Sequence, residues 1–460
     1  MRHSRGRVAA RPRTIRRMTA EALPPGPGPI PFNLIGWTLR PVPFMERCRR
    51  RYGERFTVDM GPPEGKWIFL TTPEEIREMF SAPADVLHPG EGARVLEPVV
   101  GPRSVLLLDG AEHLAQRKLM LPAFHGERMR ALVGVMEEVA AAEVDGWRAG
   151  EPFALHERTQ ALTLEIILRA VFGMSAGARL DELRTTMKQL LDLGASPLTL
   201  LPLFRRRLGS LTTWARFVDV RDHADALILA LIEERRRTGE EGDDVLTMLL
   251  AARDEDGRPM TERELRDELV TLLVAGHETT ASALSWGFEQ LLRAPAVHER
   301  VTRAAVEEDT AYLEATVKEI LRRRPVLPIA QPRRIKQPVE IGGRTYPAGP
   351  AFTACIYLVH HDEAIYPEPY AFRPERFLDG NPGKFSWIPF GGGVRRCLGA
   401  SFAQLEMRIA LQAILSRVEV ASALDGREGI GRRSITLSPR RGTPITVRAR
   451  LREPRVAVGA

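Results

Sequence analysis

The chain has 460 residues, 44% of them hydrophobic and 27% charged, with a formal net charge of +7. That length allows a large core, no stretch approaches the roughly 20 apolar residues of a membrane span, and three scattered cysteines (Cys48, Cys355, Cys397) exclude a disulfide framework and suit a reducing compartment. Seven of the 66 basic residues lie in the first 17 positions, which leaves 59 basic against 59 acidic residues, so the positive charge belongs to a tail and not to a nucleic-acid-binding face. Residues 1–22 are expected to be a basic, disordered extension; an Arg-rich presequence or a true start at Met18 are the alternatives.

Leu23–Pro29 is proline-rich and cannot be helix. Phe56–Met60 and Trp67–Thr71 read as a strand pair, and Thr72-Pro73-Glu74-Glu75 opens a helix with a capping-box pattern. Helical periodicity dominates from about 110 to 325. Within it, Leu198–Phe204 is a Leu-rich loop before Arg205-Arg206-Arg207: an apolar entrance, a membrane-touching loop or an ordinary packed loop. Thr261-Glu262-Arg263-Glu264 is a second capping box, and apolar spacing continues to Ala294-Pro295, giving a helix of about 33 residues and ~50 Å. Its middle, Ala275-Gly276-His277-Glu278-Thr279-Thr280, places an acid and two hydroxyls inside an apolar stripe. That pattern suits either a kinked core helix with satisfied polar groups or an acid–alcohol pair that moves protons, and His277 reads as structural.

Glu319 and Arg322 lie three residues apart on a helix ending before Pro325, and short strands follow at Val339–Ile341 and Ile445–Val447. No repeat and no linker interrupts residues 30–450, so one domain over 23–453, with a tail at 454–460, is expected. Near its end, Phe390-Gly391-Gly392-Gly393-Val394-Arg395-Arg396-Cys397-Leu398-Gly399 sets one cysteine among glycines and arginines before a helix. A tight turn with a small buried cysteine and a metal-ligand cysteine both fit; a phosphate loop does not, because the Gly-Lys-Ser/Thr ending is missing. Nearby cations and a helix N-terminus would lower the thiol pKa, and glycines would let a flat ligand approach the backbone.

The spacing Phe390-x-x-Gly393-x-Arg395-x-Cys397-x-Gly399 resembles the haem-binding signature of the cytochrome P450 family, and residues 24–450 carry further family-like motifs in the right order. The resemblance implies a mainly α fold with a smaller β region, a single-domain triangular prism with a long central helix over haem b. It implies Cys397 as the axial iron ligand, Glu278 and Thr279 as the oxygen-activating acid and alcohol, and His113, Arg117, Arg333 (with Arg334 as neighbouring candidate) and Arg395 as propionate partners. Glu319, Arg322 and Arg376 would brace the region behind the haem, and the apolar segment Pro325–Ala330 would be a pocket-lining strand. The expected protein is a soluble, cytoplasmic, monomeric bacterial-type monooxygenase of a small hydrophobic substrate and O2. Electrons would come from a ferredoxin and its reductase, or a flavodoxin-type carrier, with NAD(P)H used only indirectly and Lys118, Arg395 and Arg396 forming a docking patch. A peroxide-rearranging haem-thiolate enzyme and a non-catalytic haem sensor are the rivals, both disfavoured by the Glu278-Thr279 pair.

Overall fold

The computed structural model describes residues 22–124, 126–174, 177–195, 212–240, 242–380 and 382–451; the Leu-rich loop at 198–204 and the basic extension at 1–21 lie outside them. The architecture is organised around one helix, Glu262–Leu291. Its start is a complete capping box: Thr261 Oγ1 accepts the Glu264 N–H, and the Glu264 carboxylate accepts the Thr261 N–H. The helix has 30 residues, about 45 Å at ~1.5 Å each, and ends at Leu291, short of the expected stop near Ala294. Pro295 is the reason. Its ring disfavours a helical residue before it, so Ala294 takes φ −125°, and Pro295 then opens a separate helix, Pro295–Glu307.

This central helix is buried along most of its length: Leu265, Leu269, Leu273, Leu284 and Phe288 are fully covered. It packs against the helix Leu155–Phe172, the brace helix Thr310–Arg323 and the cysteine helix Ala400–Leu415. The first contact is close because Gly276 has no side chain; a Cβ there would stand 3.2 Å from Ile167 Cδ1. Thr159 and Thr163 donate from that neighbouring helix to the Ala281 and His277 carbonyls at 3.1 and 3.2 Å, so polar groups inside the apolar interface are paired.

A five-stranded sheet lies to one side, in the order Arg55–Asp59, Lys66–Leu70, Ala351–Ala354, Arg333–Ile335, Leu87–His88. Only the Lys66–Leu70 and Ala351–Ala354 pair is parallel. The first hairpin sits one residue earlier than its apolar pattern suggested, with Phe56 opposite Phe69 and their rings stacked at 4.9 Å. A three-stranded sheet joins Pro152–Ala154, Pro444–Arg450 and Val418–Ser422.

Two sequence expectations fail here. Pro73 does open the helix Pro73–Ser81, but the Thr72 side chain caps nothing, and Glu75 pairs with Arg55 instead of closing a box. Pro325–Ala330 is not a strand: its two prolines offer no N–H, and the segment is held at Ala330, whose N–H reaches the Ala354 carbonyl at 2.9 Å and whose carbonyl accepts from Thr353 at 2.7 Å.

Thr261→Ala is expected to remove about 1 kcal/mol of stability, read as a lower urea midpoint, with Thr261→Ser close to the parent. An unchanged midpoint for the alanine variant would show that tertiary packing alone sets this helix start.

Candidate functional site

The loop before the cysteine helix is fixed by main-chain geometry. Gly391 and Gly393 have φ of 66° and 65°, the left-handed region that glycine tolerates. The Cys397 N–H donates to the Phe390 carbonyl at 3.0 Å, and the Arg396 N–H to Gly393 at 3.1 Å. A Cβ on Gly392 would lie 2.4 Å from the Phe80 ring, and one on Gly393 2.3 Å from the Phe80 carbonyl oxygen. These two glycines therefore admit Phe80 against the loop. At Gly399, by contrast, a Cβ would meet nothing within 4 Å.

Cys397 has accessible surface, whereas Cys48 and Cys355 are buried. Burial pushes the Cys397 thiol up, and the Gly399 N–H, Arg117 and Arg396 pull down by less. The expected lowering by nearby cations and the helix start is present, but burial outweighs it. A coordinating metal deprotonates a thiol outright.

The four expected propionate partners converge. His113 is buried and held neutral, pushed down to about 3 by burial and by the positive charges of Arg395, Arg117 and Arg333. Arg395 bonds Asp109 at 2.8 Å and the Val105 carbonyl at 3.1 Å. Arg117 donates to the Arg396 carbonyl at 2.7 Å, and Arg333 to the Met79 and Gly392 carbonyls at 3.3 and 3.1 Å, with its guanidinium 4.8 Å from the Phe80 ring centre. Of the three guanidiniums only Arg395 has a carboxylate partner, Asp109; Arg117 and Arg333 meet backbone carbonyls, which leaves two positive charges without an anionic partner among the described residues. A haem carries two propionates, so these residues fit the group. Arg334 is not among them; it turns outward to the Gly349 and Glu64 carbonyls at 2.8 and 3.0 Å.

On the central helix, Ala275 is exposed while Leu273 and Ala281 are fully buried, so the helix has an accessible patch at its motif. Thr279 Oγ1 donates to the Ala275 carbonyl at 2.7 Å. Glu278 points to a different set: Gln160 at 2.7 Å, Ser282 at 3.0 Å, His156 at 3.2 Å and Arg433 at 3.3 Å. Burial pushes its pKa up, but His156, Arg433 and His277 outweigh it and hold the carboxyl down at about 2. Glu278 and Thr279 are therefore neighbours in sequence with separate hydrogen-bond partners. His277 is buried and neutral, at about 4, as a structural residue would be.

Behind the loop, Glu319 and Arg322 form a bidentate pair at 2.7 and 2.8 Å with both side chains at 0% exposure. Arg376 approaches Glu319 at 3.5 Å, and the Arg373 N–H donates to it at 2.8 Å. Arg322 also donates to the His360, Pro369 and Ala371 carbonyls at 2.7, 2.8 and 3.2 Å.

Several contributors carried no sequence signal. The His360 ring accepts the Ile388 N–H at 2.9 Å, tying the brace to the start of the cysteine loop. Glu268, one acid among several on the central helix, is buried and pushed up to about 8; it accepts from Val105 N–H at 2.7 Å and Gln116 at 3.1 Å. His156, Gln160 and Arg433 come from distant segments to surround Glu278. The glycine spacing did signal a close approach, but not that Phe80 makes it.

A family profile described as Cytochrome P450 matches residues 24–442. The chain is 40% identical over 438 residues to a proposed cytochrome P450 135B1 of Mycobacterium tuberculosis, covering 93% of this chain and 92% of that one. It is 38% identical over 405 residues to a proposed cytochrome P450 135A1 of the same species, covering 87% and 90%. Among solved structures, a retinoic-acid-bound cyanobacterial CYP120A1 superposes with a TM-score of 0.79 at 23% identity, over 94% of this chain and 100% of that one. A cytochrome P450DA heme domain gives 0.80 at 22% identity, over 94% and 99%.

Two outcomes follow from the site's supports. Arg322→Leu is expected to cost about 3–5 kcal/mol because Glu319 is left buried and unpaired, and Glu319→Leu/Arg322→Leu to cost less than the sum of the singles; denaturation midpoints test this. His277 and His360 have folded pKa values of about 4 and 3, below the ordinary 6.5. The unfolded chain therefore binds more protons between those values, so stability is full above about pH 6.5 and falls as pH drops toward 4, by on the order of 1 kcal/mol per unit for each histidine. His360→Gln should show a shallower slope between pH 7 and 5, and an identical slope would contradict the assignment.

Proposed function

The chain belongs to the cytochrome P450 family and is a haem-thiolate monooxygenase, and we propose that it takes electrons from a separate carrier protein to oxidise a hydrophobic small molecule. Bound haem supplies O2 activation and the insertion of one oxygen atom into the substrate. The observation that carries the site assignment is the joint placement of an accessible Cys397 and a basic group with two uncompensated positive charges.

In this reading Cys397 ligates the iron, and His113, Arg117, Arg333 and Arg395 receive the propionates. Arg117 and Arg333 have only carbonyl partners to exchange for carboxylates, while Arg395 keeps Asp109. Phe80 holds the loop from below, so the sulfur's height is set by packing rather than by the loop alone. Thr279 exchanges its Ala275 carbonyl for a water or substrate oxygen. Glu278, ionised by its partners, takes up a proton from solvent when it leaves Arg433, its longest contact at 3.3 Å, and returns it to a water beside Thr279 when that contact re-forms. The apolar Pro325–Ala330 segment and Ala275 support a hydrophobic substrate. Electrons would come from a ferredoxin or flavodoxin-type carrier, itself reduced at the expense of NAD(P)H. Exposed Arg396 and Lys118 offer it a basic surface, although Lys118 is already paired with Glu255 at 2.9 Å.

A reduced carbon monoxide difference spectrum with the Soret band of thiolate ligation is the expected result, and Cys397→Ser should abolish that band. Haem-loaded, folded parent protein without it would refute the ligand assignment. Thr279→Ala should lower product formed per electron consumed at little cost in substrate affinity; unchanged coupling would place proton delivery elsewhere. Arg396→Glu should slow reduction by the carrier more than it weakens substrate binding.

A further inference from the structure

Away from Cys397, a solvent-open pocket of about 210 Å³ lies between the C-terminal end of the central helix and the end of the brace helix, with Tyr370 and Phe372 on its lining. Four arginines line it, Arg293, Arg323, Arg324 and Arg427, against one carboxylate, Glu289, an excess of three positive charges. Glu289 is already engaged: it accepts from the Gln290 amide and lies 3.7 Å from Arg293.

Arg324 is the informative member. Its guanidinium lies 4.7 Å from the Trp286 ring centre, and its Nε is buried without a hydrogen-bond partner. Burial depresses its pKa, with Arg427 and Arg293 adding to the fall and Glu289 and Tyr357 opposing it. Arg323 is held beside it by the Tyr370 carbonyl at 3.0 Å and the His361 ring at 3.3 Å, and burial, Arg324 and Arg322 bring it down to about 10. An ordinary solvated arginine face does not enclose a guanidinium or crowd it against its own kind. The expected occupant of such a site is an anion.

We propose that this pocket binds a small, multiply charged oxyanion. The volume is below the roughly 300–1,000 Å³ typical of pockets for drug-sized ligands, which favours a compact ion. Guanidinium forks take phosphate and carboxylate oxygens alike, so a pyrophosphate-type and a tricarboxylate-type ligand share the required chemistry. Arg323 and Arg324 directly follow Arg322 of the buried brace, so occupancy relieves repulsion at the end of that helix and raises the unfolding temperature. The proposal does not depend on the identity of the haem ligands.

The test is calorimetric titration of the haem-loaded protein with sodium pyrophosphate and, separately, sodium citrate, at ionic strength matched with chloride. Saturable one-site binding is expected, weakened at least tenfold in Arg324→Gln and in Arg427→Ala, with the haem spectrum unchanged. Tighter pyrophosphate binding identifies a phosphate ligand, and tighter citrate binding a carboxylate one. No saturable binding of either, or affinity unaltered in both variants, overturns the proposal. Should Arg324→Gln fail to fold, Arg427→Ala decides alone, because Arg427 is exposed at the surface.

Discussion

The buried pair of Glu319 and Arg322 fixes the position of everything behind the cysteine. Both charges are removed from water, a cost that their mutual attraction repays only with good geometry and further hydrogen bonds. Arg322 has both. Its two bonds to Glu319 leave it free to hold three backbone carbonyls, from His360, Pro369 and Ala371. From His360 the path continues through its ring to the Ile388 N–H, and from Phe390 to the Cys397 N–H. A hydrophobic replacement could fill the same volume but could not orient those carbonyls. The ion pair is better understood as a device for placement than as a source of stability.

The central helix shows how surroundings decide a carboxyl's state. Glu268 and Glu278 lie ten residues apart on one continuous helix. Glu268 is enclosed by neutral donors and is pushed up to about 8; Glu278 is nearly as enclosed but faces His156 and Arg433, and is held at about 2. The two differ in task as well. Glu268 holds the Val105 backbone, and the Val105 carbonyl in turn accepts from Arg395. One acid thus supports the basic group near Cys397, while the other remains charged beside the motif.

The sequence was most legible where a local rule determines the outcome. The Thr261 capping box, proline at helix starts and the positive-φ glycines before Cys397 all depend on neighbours in the chain, and all could be read there. The Thr72 box failed because a tertiary partner, Arg55, claimed Glu75. Pro325–Ala330 looked like a strand because its residues are apolar, although its prolines remove the N–H groups a ladder needs. Within the site, residue types at family spacing identified the four basic groups that converge, but not which way Arg334 turns. His360, Phe80, Arg433 and Glu268 were invisible because their parts in the site come from contacts across the fold, which no spacing encodes. For the thiol, the nearby arginines could be read from sequence, whereas the opposing effect of burial could not.

The gathering of Phe80, His113, Arg333 and Cys397 into one place has a consequence for biogenesis. These residues are separated by up to about three hundred positions, so the loops joining them close late and slowly. A nascent chain on the ribosome has no cradle until the cysteine segment, near its end, has emerged. Even then Arg395, although paired with Asp109, is crowded by Arg117 and Arg333. With haem held by these residues, as proposed, its capture would come late in maturation. A chain that stops before Cys397 would lack the last part of the cradle whatever else had folded.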